Sequence, residues 1–183
     1  TVNGKKKKTE IEDPFNRFIY GRPPASYGDW AWIQHMFASL NPKGRIGVVM
    51  DNGVLFRGNS EAKVRQAFLK LDVVDAVIGL PANLFANTTS PACILIIDKN
   101  KPTARKGKVL FVDASNDYIE GNAQNHLRDE DIEKTLGTYT DYSTIERYCS
   151  VCDLEEIKEN DYNLNISRYV DTTEPEVPVI IEE

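Results

Sequence analysis

The stretches NPKGRIGVVMDNGVLFRG, Asn41 to Gly58, and VIGLPANLFANTTSPACILIIDKNK, Val77 to Lys101, decide the fold expected of this chain. In each, an apolar strand opens into a polar loop rich in glycine or asparagine, the layout of a site carried on a sheet edge. Arg45 to Met50 is a short β-branched run of the kind buried on both faces of a parallel sheet. Asp51-Asn52-Gly53 conflicts with that reading, because Asn-Gly between apolar runs is a strong hairpin signal. Downstream, however, Asn59-Ser60 offers a helix cap, and Val64, Ala67, Phe68 and Leu71 form a helical stripe. Strand, loop, helix, strand is the order of a parallel crossover, so Asp51 to Gly58 is expected to be a loop, with the hairpin as the local alternative. Val74 to Gly79 and Ala92 to Asp98 read as two further strands. With no helix between them they should be antiparallel neighbours, joined by the site-like loop Leu80 to Pro91.

Working outward, Trp30, Ile33, Phe37 and Leu40 recur at helical steps, giving an amphipathic helix stopped by Asn41-Pro42-Lys43-Gly44. Lys108 to Asp113 is another strand candidate. Asp129 is placed to cap a helix carrying Ile132, Leu136 and Tyr139, and Asp153 with Glu156 makes a capping-box-like start to a short helix. The expected organisation is an arm and loop over 1–27, a sheet-bearing unit over 28–115, an extension over 116–170 and a flexible acidic tail over 171–183.

Composition narrows the function. At 183 residues the chain suits one core rather than two domains. Hydrophobic content of 41% and charged content of 27% fit a soluble protein, and no apolar run spans a bilayer. A formal net charge of -6 argues against gripping nucleic acid by bulk electrostatics. Lys5 to Lys8 form a basic run, either a nucleic-acid patch or a solvated arm. The start TVNGKKKKTEIED has no Met and no apolar segment, and reads as an internal fragment. Three cysteines make no disulfide framework and suggest a reducing compartment. Cys149 and Cys152 have zinc-like spacing but too few partner ligands, so both are expected to be ordinary thiols, and Cys93 to lie in the core.

The two quoted stretches, together with RFIYGRPPASYGDWAWIQHM (Arg17 to Met36) and DLEEIKENDYNLNISRYV (Asp153 to Val170), closely resemble part of a known family. It is the modification subunit of type I restriction-modification systems, an S-adenosylmethionine-dependent adenine-specific DNA methyltransferase. The resemblance covers nearly all of Phe18 to Asp171. It implies an α/β fold: the second half of a Rossmann-like methyltransferase sheet, parallel strands plus an antiparallel hairpin, with a C-terminal helical extension. It also implies a prokaryotic, cytoplasmic protein whose partners are double-stranded DNA and the specificity and restriction subunits.

Two parts of that family's machinery are missing. The catalytic Asn-Pro-Pro-aromatic motif does not occur, since Arg22-Pro23-Pro24-Ala25 has neither an acceptor side chain nor an aromatic, and Asp13-Pro14-Phe15 lacks the second proline. The glycine loop for the cofactor is also missing. By the resemblance, Thr1 falls just downstream of the catalytic motif, so no catalytic, cofactor-binding or metal residue is expected here and the fragment alone should be inert.

What remains is the target-base side. An enzyme that modifies a base inside a duplex extrudes it and holds it by stacking and edge hydrogen bonds. The resemblance implies that Phe85 packs on the flipped adenine and that Asn87 and Thr88 shape the pocket. The residues alone leave open that Phe85 is a core plug. Asn52 and Arg57, at a strand's carboxyl end, are also candidates to face DNA, although Arg57 is expected to be solvated. Two other readings stand beside this one: a non-enzymatic docking module for partner subunits, and a fragment of an RNA or protein methyltransferase.

Overall fold

The computed structural model describes residues 13–22, 24 and 26–173. The run Lys5 to Lys8 and most of the acidic tail lie outside them. Five strands, β1 (Arg45–Asp51), β2 (Val74–Gly79), β3 (Ala92–Asp98), β4 (Lys108–Asp113) and β5 (Cys149–Asp153), lie side by side in the order β1-β3-β2-β4-β5. The helices are α1 (Asp29–Ser39), α2 (Asn59–Lys70), α3 (Asp129–Asp141) and α4 (Leu154–Glu159). β3 is antiparallel to both β1 and β2, β2 is parallel to β4, and β4 is antiparallel to β5.

The expected β2–β3 hairpin is present, with Gly79 opposite Cys93 at its closed end. The crossover from β1 through α2 to β2 also holds in direction, but β3 sits between its two strands. β1 is therefore not the doubly buried parallel strand expected from its composition. Among the described residues it pairs with β3 alone and buries mainly one face, with Ile46 inside and Val49 about half exposed. Asp51-Asn52-Gly53 is not a hairpin turn. Asn52–Leu55 forms a tight 3-10 turn, whose first amide is held when Asp51 Oδ1 accepts from Gly53 N at 2.7 Å.

Strand alternation sorts the core onto two faces. One carries Ile46, Leu95, Ile97, Val77 and Phe111 and is covered by α1 and α2 through Trp30, Phe37, Val64 and Phe68. The segment after α4 returns across the same face. Ile166 covers Gly79, and Tyr169 stacks on Phe111 with centroids 4.0 Å apart. The other face carries Ala76, Ile78, Leu110 and Val112 under the tyrosines of α3 and its flank. The i, i+3 spacing of Cys149 and Cys152 puts them on opposite faces of β5, each thiol buried and free, which explains geometrically why they do not form half of a zinc site.

α3 is tied down by a buried acid. Asp75 is fully buried and accepts from Arg105 Nη1 at 3.1 Å and from the Tyr139 hydroxyl, while Tyr142 Oη donates to the Asp75 carbonyl at 2.9 Å. An unpaired carboxylate there would be costly, and the arginine stacked on both tyrosine rings offsets that cost.

Several local expectations are corrected. Gly58, not Asn59 or Ser60, is the N-cap of α2, without a side-chain cap; Asn59 itself has φ of 56°. The N-cap of α3 is Arg128, whose side chain meets Asp131, so Asp129 is already in the first turn. Ile132 and Leu136 stay half exposed, because they line an open groove between α3 and the sheet beside Ile78, Ile94, Ile96 and Tyr139. The strand β5 had no counterpart in the expectations.

Candidate target-base site

The site is built where the chain leaves β1 and where it crosses from β2 to β3. Register places Asp51 opposite Ala92, so the turn after β1 and the end of the 80–91 loop meet at one end of the sheet. Between them lies a cleft of about 220 Å³ lined by Val49, Asp51, Phe85, Thr88, Ser90 and Pro91. Thr88 N donates to the Phe85 carbonyl at 3.2 Å, which folds the loop tip and leaves the Phe85 ring 39% exposed. A core plug would be buried, and this ring is not. Asn87 is exposed and lines a neighbouring hollow with Asn83 and Thr89, and Thr88 borders both.

The loop is held from behind. Asn125 N donates to the Asn83 carbonyl at 2.7 Å and its side-chain amide to the Ala82 carbonyl at 2.9 Å. The opposite wall is held more firmly. Trp30 Nε1 donates to the Val54 carbonyl at 3.1 Å, and Leu164 N to the Leu55 carbonyl at 2.9 Å. Arg65, 2% exposed, donates to the carbonyls of Val54, Arg57 and Tyr162. Burial pulls its pKa down to about 10.

Arg57 is not the solvated residue expected. Its Nη1 meets Asp51 at 3.1 Å, its Nε meets Glu61 at 2.8 Å, its Nη2 meets Asp29, and its guanidinium lies 4.8 Å from the centre of the Tyr27 ring. Burial opposes its charge, but Glu61, Asp29 and Asp51 outweigh that and leave its pKa raised. Asn52 is next to the cleft but does not line it, and its amide Oδ1 is buried without a hydrogen-bond partner. The residue that reaches the cleft is Asp51. Its signal in the sequence was the Asp-x-Gly turn, and that of Arg57 was Glu61 four residues on.

Among the described residues no group of His, Cys, Asp and Glu is arranged to hold a metal. No helix there is long and apolar enough to cross a membrane. At Gly53 the side where a Cβ would stand is filled by Arg57, and at Gly79 by Ile166 Cδ1, 2.8 Å from an added Cβ. Cys93 beneath the cleft is inert as a nucleophile, since burial pushes its thiol up to about 12.

The chain is similar to known proteins over most of its length. The chain is 43% identical over 169 residues to the type I restriction enzyme MjaVIII methylase subunit of Methanocaldococcus jannaschii, covering 91% of this chain and 29% of that protein. It is 38% identical to the HindI methylase subunit of Haemophilus influenzae, covering 90% of this chain and 38% of that one. Among solved structures, a type I restriction-modification methyltransferase subunit from Streptococcus thermophilus superposes with a TM-score of 0.81 at 42% identity, over 87% of this chain and 34% of that chain. The EcoKI M protein shares the fold, with a TM-score of 0.68 at 17% identity over 86% of this chain and 40% of that one. The chain thus spans well under half the length of these relatives. The N-6 DNA methylase family matches residues 2–177, nearly the whole chain, and the chain belongs to that family.

Proposed function

We propose that this chain is the C-terminal part of the modification subunit of a type I restriction-modification enzyme, in which it supplies the target-base side of the cleft. The full protein transfers a methyl group from S-adenosylmethionine to the exocyclic amine of adenine in double-stranded DNA. Residues 28–115 then complete the catalytic domain, and 116–170 form an extension toward the specificity and restriction subunits. The observation that carries the reading is the Phe85 ring, 39% exposed and lining a walled cleft at the end of the sheet.

In this reading the extruded adenine stacks on Phe85 and meets the Thr88 hydroxyl at its edge, while Asn87 shapes the adjoining hollow. A stack of this kind is worth about 1–3 kcal/mol per base, enough to offset much of the few kcal/mol needed to unstack it. Asn52 supports the wall from behind Asp51. S-adenosylmethionine supplies the electrophilic methyl and is held by residues outside this chain.

Calorimetric titration tests the division of labour. This chain should show no micromolar affinity for S-adenosylmethionine and no methylation of duplex DNA, and the complete subunit assembly should show both. Micromolar cofactor binding by this chain would overturn it. One observation favours a docking role in addition: Ile132, 50% exposed, and Leu136, 60% exposed, sit one turn apart on α3 with Ile94 and Ile96 beside them.

A further inference from the structure

We propose that Arg57 is a positioning residue for this cleft: it fixes Asp51 on the wall opposite Phe85 and screens three carboxylates there from DNA phosphate. The inference rests on the reading above that the cleft meets DNA. Asp29, Asp51 and Glu61 converge on one guanidinium from α1, the end of β1 and α2. Glu61 is 2% exposed, its Oε2 accepts from Arg57 Nε at 2.8 Å, its Oε1 has no hydrogen-bond partner among the described residues, and the buried Arg65 one turn on is coupled to it by charge. The Asp51 side chain is 58% exposed and lines the cleft.

Three carboxylates against one guanidinium leave these four groups with a formal charge of −2. Without Arg57 the wall presents −3 beside a polyanion, and Asp51 loses the contact that complements its bond to Gly53 N. A structural arginine would need only the buried Glu61. The arm that reaches Asp51 at the cleft mouth is what ties Arg57 to the ligand side. Only a planar fork bridges three separate acids, so lysine is not equivalent.

The test uses the complete methyltransferase assembly containing this chain and a duplex bearing its methylation site. Methyl transfer, DNA affinity at several salt concentrations, cofactor affinity and thermal stability are measured. Arg57→Gln should raise KM for DNA roughly tenfold, leave cofactor affinity unchanged, and make the slope of log affinity against log salt shallower by about one. Adding Asp51→Asn should recover most of the slope, because the amide oxygen still accepts from Gly53 N while the charge is gone. Arg57→Lys should keep the slope but still raise KM. If Arg57→Gln fails to fold, Arg57→Lys and Asp51→Asn alone carry the test, the latter steepening the slope. Lost stability and cofactor affinity with an unchanged slope, or no recovery on adding Asp51→Asn, would overturn the inference. A wild-type assembly that neither binds nor methylates the duplex would instead overturn the reading beneath it.

Discussion

Replacing Arg65 by methionine separates the bracing of the cleft wall from its chemistry. The side chain is 2% exposed and its guanidinium donates to three carbonyls, at 2.8 Å to Tyr162, 2.9 Å to Arg57 and 3.3 Å to Val54. Bonds from a charged donor contribute about 1.5–3 kcal/mol each, so the gross loss for three is about 5–9 kcal/mol. Against this stands the burial penalty of the cation. A pKa drawn from 12.5 to about 10 corresponds to about 3 kcal/mol that methionine no longer carries. The net cost is therefore about 2–6 kcal/mol, a fall in Tm of roughly 4–24 °C for a chain of this size. Denaturant unfolding of the chain gives the number directly, with an unchanged m-value showing that the unfolded state is not altered. Amide exchange should quicken from Val54 to Gly58. A midpoint within about 0.5 kcal/mol of the parent would refute the reasoning, because it would mean that the three carbonyls find water without loss.

Other consequences follow from buried and edge groups. Burial raises the thiols of Cys93 to about 12 and Cys152 to about 11 from 9.0. The folded chain thus holds protons that the unfolded chain releases, so this contribution is whole below about pH 9 and declines as pH rises toward 12. Thiol labelling at about pH 8 should track global unfolding, and native labelling as fast as a free cysteine would contradict it. Arg128 holds the Asp131 carboxyl down to about 2 from 3.8 at the start of α3. Its contribution is present above about pH 4 and is lost as pH falls toward 2; acid titration by circular dichroism should show Arg128→Ala melting at higher pH. Among the described residues β1 pairs with β3 alone, and Val49 and Phe56 are about half exposed. Light scattering should show self-association, or amide exchange should show residues 1–27 shielding Ile46 to Met50; a clean monomer with fast exchange there would refute both.

Much of the fold was legible because its signals are local. Apolar periodicity marked α1, α2 and the strands β1 to β4, and the missing helix between Gly79 and Ala92 correctly marked an antiparallel hairpin. What escaped depended on partners distant in sequence. CSVCD, Cys149 to Asp153, has little intrinsic strand character and becomes β5 by pairing with β4. Ile132, Leu136 and Tyr139 form one helical stripe as read, but only Tyr139 is drawn down, by Asp75, while the first two stay half exposed over an open groove. The order β1-β3-β2 cannot be read from β1 itself, whose composition suits a central strand as well as this one. In the candidate site, Phe85 and Thr88 were singled out by the family resemblance, while the residues alone left Phe85 open as a core plug. The role of Arg57 was not legible, since two of its three acids, Asp29 and Asp51, belong to other elements.

The most direct test of the central claim is Phe85→Ala in the complete methyltransferase assembly, with methyl transfer, cofactor affinity and thermal stability measured on the same preparation. A ring 39% exposed has limited core contact, so stability should fall by well under the 3–5 kcal/mol of a fully buried phenylalanine. Transfer, by contrast, should weaken by the loss of one stacking face, about 1–3 kcal/mol, while affinity for S-adenosylmethionine stays nearly unchanged. If the variant instead loses stability and cofactor binding together, with transfer falling only in proportion, Phe85 is a packing residue and the cleft is not the target-base site.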